Sequence, residues 1–164
     1  MRRARSHPFF AWGLRSTGVA SDVCFHPNHP AAKAIGPPSR RERIKCKDAP
    51  AAIGPYSQAV LAGGTLYCSG QIALHPQTGA MVNSDIEEET TQVLDNLGAV
   101  LREAGMGFRH VVQCTVYLRD MNDYARVNEV YARYFSAAPP AREAVEVGML
   151  PRGACVEVSC IAVK

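Results

Sequence analysis

The strongest periodicity in the chain lies at Thr90, Val93, Leu94, Leu97, Val100, Leu101 and Ala104, which recur at spacings of three and four and so share one face of a helix. Ser84 or Asp85, with Glu87 or Glu88 three residues on, marks its start, and Gly105 marks its end. On both sides the pattern changes to that of strands. Residues 66–72 read as a strand after a Gly63-Gly64 turn, and residues 75–79 as a loop. Residues 111–118 are β-branched and aromatic, hence a strand. Asn122 is then expected to cap a second helix whose buried stripe is Tyr124, Val127, Tyr131, Tyr134 and Phe135. After Pro139-Pro140, residues 141–147 and 155–163 read as two more strands, with Pro151-Arg152-Gly153 as the turn between them. The order β-β-α-β-α-β-β implies an α+β fold, two helices packed on one face of a mixed sheet.

Two helices leave the other face of such a sheet bare. In the last strand, Val156, Val158, Cys160 and Ala162 alternate with Ile161 and Val163, so parts of both faces are apolar. Association between copies is the economical way to cover the second face, and a homo-oligomer is expected.

Composition separates the chain at residue 44. Residues 1–44 hold eight Lys and Arg against two Asp and Glu, and residues 45–164 hold ten against thirteen, so the overall +3 divides into +6 and −3. The acidic balance of the second part argues against nucleic acid as a partner, and no apolar run is long enough to span a membrane. Residues 1–44 are Arg-rich, acid-poor and interrupted by five prolines, with Phe9, Phe10, Trp12 and Leu14 able to supply an apolar face. That is the description of an organelle transit segment, which implies a mitochondrial location. The alternative is a disordered extension on a cytoplasmic protein. The six cysteines include no Cys-x-x-Cys pair, and four fall in strand-like runs, so they read as reduced thiols in an intracellular protein. Cys24-x-His26-x-x-His29 falls short of the four ligands of a structural zinc site, and no metal is expected.

Three polar residues stand where apolar ones belong. Glu157 lies mid-strand between Val156 and Val158, Arg142 opens the strand after Pro139-Pro140-Ala141, and Asn128 falls on the stripe of the second helix. One explanation is a plain Arg142–Glu157 ion pair beside a packing asparagine. The other gives Arg142 a substrate carboxylate to hold and makes Glu157 a desolvated acid/base. They differ in whether the two groups leave room for a ligand.

The chain also carries Ala52-Ile53-Gly54-Pro55-Tyr56-Ser57-Gln58-Ala59-Val60, Ser69-Gly70-Gln71-Ile72, Val127-Asn128-Glu129-Val130-Tyr131, Pro140-Ala141-Arg142 and Val156-Glu157-Val158. In that order and spacing these motifs resemble the RidA (YjgF/L-PSP) family of imine deaminases over residues 45–164. The resemblance implies a chorismate-mutase-like fold, assembled as a homotrimer with sites in the clefts between subunits. It implies hydrolysis of 2-iminopropanoate and 2-iminobutanoate, formed when serine and threonine are dehydrated, to 2-oxo acids and ammonia, with no cofactor or metal. It places the carboxylate-binding arginine at Arg142, the acid/base glutamate at Glu157, and substrate-lining positions at Tyr56, Ser69, Gly70 and Asn128. Where some members carry Cys two residues after the arginine, this chain has Ala144. An endoribonuclease or translation-inhibitor activity, also named for this family, is the alternative.

Overall fold

The computed structural model describes residues 41–164. Its elements are β1 (Glu42–Ile44), β2 (Ala59–Ala62), β3 (Thr65–Gln71), α1 (Ile86–Glu103), β4 (Val111–Leu118), α2 (Tyr124–Tyr134), β5 (Ala141–Glu146) and β6 (Val156–Val163). The strands form one sheet in the order β1-β2-β3-β6-β4-β5. Only β4 and β5 pair in parallel, which makes the sheet mixed and the class α+β. The predicted order lacked one strand: Glu42–Ile44 pairs with β2, so the sheet begins ahead of the boundary drawn at residue 45. The transit-segment reading and the Cys24, His26 and His29 cluster lie outside the described residues.

Helix α1 forms for the reasons its sequence gives. The Asp85 side chain caps it by accepting from the Glu88 N–H at 2.8 Å, and Gly105 closes it in the left-handed conformation at φ 68°. Val93, Leu94, Leu97, Val100 and Leu101 are fully buried against the sheet. Helix α2 departs from expectation at its start. Asn122 does not cap it; the side chain of Asp120 accepts from the Asn122 N–H at 2.9 Å, and a single 3₁₀ turn, Met121–Asp123, leads into the helix. Its buried stripe is Val127, Val130, Tyr131 and Phe135, whereas Tyr124 is exposed and Tyr134 half-buried. Tyr134 instead turns its hydroxyl to Asp95 on α1 at 2.9 Å.

Both helices cover the same face. On β6, Val156, Val158, Cys160 and Ala162 are buried, while Glu157, Ser159 and Ile161 alternate with them on the other side. That open side also carries Tyr67 of β3, Val145 of β5 and Val163, each more than 40% exposed. Among the described residues no helix is long and apolar enough to cross a membrane. The cysteines described here, Cys46, Cys68, Cys114, Cys155 and Cys160, are all free thiols.

Candidate active site

Glu157 sits at one wall of a cavity of about 290 Å³, and the chain builds that cavity from the segment preceding β2 and the end of β3. The buried Gln58 side chain holds the segment in place. Its Oε1 accepts from the Cys46 N–H at 2.8 Å, and its Nε2 donates to the carbonyls of Cys46, Ala49 and Pro50 at 3.0, 3.3 and 2.8 Å. Ser69 ties β3 to the same segment: its Oγ donates to the Ser57 carbonyl at 2.7 Å, and its N–H to the Gln58 carbonyl at 3.0 Å. Ser69 is therefore a brace for the wall. Tyr56 is exposed at the mouth, its hydroxyl accepting from the Ile53 N–H at 3.3 Å.

The β3–β6 pairing slips by one residue between Cys68 and Gln71, a bulge centred on Ser69 and Gly70. This slip brings Gly70 over Glu157. A Cβ at Gly70 would stand 1.8 Å from Glu157 Oε1 and 2.7 Å from its Cδ, so only glycine leaves the carboxyl its position. Ile53, Ile72, Leu74 and Pro151 make much of the remaining lining apolar. Glu157 forms no ion pair among the described residues, and burial raises its pKa above the ordinary carboxylate value.

Arg142 lies elsewhere. It stands in register with Cys114 of β4, which in turn pairs with Cys160 of β6, and both cysteines are buried beneath the helices. Its guanidinium carbon lies 4.6 Å from the centroid of the Tyr131 ring on α2, and its Nη2 donates to the Tyr124 hydroxyl at 2.9 Å. Arg142 thus belongs to the helix-covered side of the sheet at the β5 edge, and Glu157 to the open side. The ion-pair explanation fails, because the two side chains project from opposite faces. Asn128 accompanies Arg142: its amide is the main influence holding the Tyr124 hydroxyl below the usual phenol pKa, with the Arg142 charge second. The Asn128 Oδ1 and the Tyr131 hydroxyl are buried without hydrogen-bond partners among the described residues.

The predicted residues therefore fall into two groups. Tyr56, Ser69, Gly70 and Glu157 gather at the cavity; Asn128 and Arg142 gather at the α2–β5 edge. Among the described residues no three His, Cys, Asp or Glu side chains converge as a metal site. Sequence reasoning passed over Glu89, buried on α1, whose Oε1 accepts from the N–H groups of Cys155 and Val156 at 2.7 and 3.3 Å and so fixes the backbone just ahead of Glu157. The available signal was an acidic residue one turn from Ile86 and one from Val93, on the apolar stripe. In the sequence Tyr131 is marked only as a member of the buried stripe of the second helix.

The family model described as Endoribonuclease L-PSP matches residues 46–164. A protein of Mus musculus named 2-iminobutanoate/2-iminopropanoate deaminase is 51% identical over 124 residues, covering 76% of this chain and 92% of the mouse protein. The structure of YyfA from Yersinia pestis, a protein of the conserved Rid family, is 47% identical with a TM-score of 0.74, covering 76% of this chain and all of that one. The structure of TdcF from E. coli with bound serine is 37% identical with a TM-score of 0.72, covering 75% and 98%.

Proposed function

Since this chain belongs to the RidA (YjgF/L-PSP) family, we propose that it is a 2-iminobutanoate/2-iminopropanoate deaminase, hydrolysing the reactive imines of serine and threonine dehydration to 2-oxo acids and ammonia. The observation that carries this reading is that Arg142 and Glu157, the two charges out of place in the sequence, do not neutralise one another. Each is held without an ionic partner among the described residues, one against aromatic rings and the other in a cavity. A structural pair would have been clasped.

Because the two groups lie on opposite faces, the complete site joins the Arg142 edge of one subunit to the Glu157 cavity of another. The apolar face left uncovered among the described residues supports such an assembly, and a homotrimer is the form we propose for it, in line with the family resemblance. The serine bound to TdcF is a small molecule with a carboxylate, the group Arg142 would take bidentately.

Hydrolysis asks little beyond placement. The guanidinium fixes the carboxylate, and the imine carbon is then presented to water beside Glu157. The carboxylate takes a proton from water as its oxygen bonds to the imine carbon, and the C=N π pair moves onto nitrogen, which is protonated. The resulting carbinolamine breaks its C–N bond as the hydroxyl proton leaves, giving the 2-oxo acid and ammonia. Glu157, carrying the proton it took, is the group to deliver one to nitrogen. Positioned proton transfer of this kind supplies roughly 10²–10⁴-fold.

The test couples a threonine dehydratase to semicarbazide, which traps the imine. The protein is expected to lower the trapping rate. Arg142→Ala and Glu157→Gln each abolish most of that effect while the oligomer persists, and Arg142→Lys fails too because a point charge does not reproduce the planar fork. Full activity in both Arg142→Ala and Glu157→Gln would refute the assignment. The endoribonuclease reading has the family description behind it. Among the described residues the histidines are His75 and His110, which stand apart in sequence, and the Nδ1 atom of each accepts backbone N–H bonds from its own loop. Loss of ribonuclease signal on rigorous purification with deaminase activity kept would exclude that reading, and ribonuclease activity that persists through that purification in protein lacking deaminase activity would favour it.

A further inference from the structure

We infer that Tyr131 is the positioning residue for Arg142, its ring serving as the shelf that sets the plane of the guanidinium fork; this rests on the assignment of Arg142 as the carboxylate holder. An arginine side chain has several rotatable bonds, and a bidentate grip on a carboxylate needs its plane fixed before the ligand arrives. No carboxylate does this among the described residues. The contacts that remain are aromatic. The guanidinium carbon lies 4.6 Å from the Tyr131 centroid and 5.6 Å from that of Tyr124, with Nη2 donating to the Tyr124 hydroxyl at 2.9 Å. Guanidinium over a ring face is favourable without consuming the N–H groups the substrate needs.

Tyr131 is suited to be the fixed member of the pair. It is 6% exposed, and its ring stacks on Phe135 with centroids 4.4 Å apart and planes 26° from parallel. Phe135 is in turn held edge-on by Phe108 at 5.0 Å. The shelf is therefore anchored in the core, whereas Tyr124 is exposed and acts as a stop on one nitrogen. The Tyr131 hydroxyl plays no part in the shelf. It is buried with no hydrogen-bond partner among the described residues, and burial pushes its pKa upward, so it stays a neutral phenol. The ring is the working part of this residue.

The experiment uses the full chain and 2-oxobutanoate, a stable 2-oxo acid, as the binding probe, read by titration calorimetry beside KM and kcat in the coupled assay. Tyr131→Phe keeps the ring and is expected to bind 2-oxobutanoate like the parent. Tyr131→Leu is expected to weaken binding and raise KM by about 10-fold, with kcat within twofold. A merely structural role would not separate KM from kcat, nor would phenylalanine restore the one parameter alone. Should the leucine variant fail to assemble, Tyr131→Met, flexible and of similar reach, carries the same expectation. Unchanged affinity in Tyr131→Leu or Tyr131→Met overturns the inference. So does a loss in Tyr131→Phe equal to that in leucine, which would give the role to the hydroxyl. If the parent protein binds no 2-oxobutanoate at all, the assignment of Arg142 itself falls and the shelf has nothing to serve.

Discussion

Gly70 shows how much of this site depends on a missing atom. A methyl group there collides with the end of the Glu157 side chain, which can rotate away, and not with backbone. Gly70→Ala is therefore expected to fold and assemble, and to lose activity by roughly 10²-fold or more as the carboxyl leaves its place; thermal melting beside the coupled assay checks both halves. Glu157 itself should carry a pH signature. Its folded pKa lies above the ordinary 4.5 because of burial, so activity that needs the carboxylate falls on acidification with a midpoint above that value. The sign for stability is opposite to that of a salt-bridged carboxylate. Between the unfolded and the raised folded pKa the folded chain binds more protons, so this group favours folding more as pH drops through that window. At neutral pH the buried charge opposes folding, and Glu157→Gln should melt at or above the parent, the difference shrinking as pH is lowered. A lower melting temperature for Glu157→Gln would mean that the carboxylate makes stabilising contacts.

The elements were largely legible in the sequence because each local signal agreed with the packing. Asp85 capped α1 as its position suggested, and residues 111–118 formed β4 as their side chains required. What stayed hidden was relative placement. Alternation tells which residues of one strand share a face; it does not tell which face that is, since this depends on register with neighbours tens of residues away. Arg142 and Glu157 were thus both visible as anomalies, yet their separation across the sheet was not. Strand β1 was hidden by length, because Glu42–Ile44 is too short to show a period and follows a basic, proline-rich stretch. The α2 start was misplaced because Asn122 is a good capping residue, whereas the helix follows a 3₁₀ turn that Asp120 caps, and Asp123 at its own N-cap position makes no side-chain cap bond. Glu89 links two elements, α1 and the start of β6, through two backbone N–H groups. Glu89→Ala strands both donors in the interior and is expected to cost about 2 kcal/mol by chemical denaturation, while Glu89→Gln, whose amide oxygen still accepts, should cost under about 1 kcal/mol. Equal losses in the two variants would mean that the charge, not the acceptor, matters.

At the scale of the whole molecule, the decisive feature is a sheet that, among the described residues, has helices on one side only. Tyr67, Val145 and Val163 remain open on the other side, and the chain is expected to sediment as a homo-oligomer at micromolar concentration; a monomer there would remove the proposed joint site. The placement of Arg142 and Glu157 on opposite faces then has a genetic consequence. Two defective alleles, one Arg142→Ala and the other Glu157→Gln, should complement each other when co-expressed. Wherever an intact arginine edge from one product abuts an intact glutamate cavity from the other, a working unit reappears, and random mixing in equal amounts restores about a quarter of them. A chain that kept both groups in its own crevice would yield none.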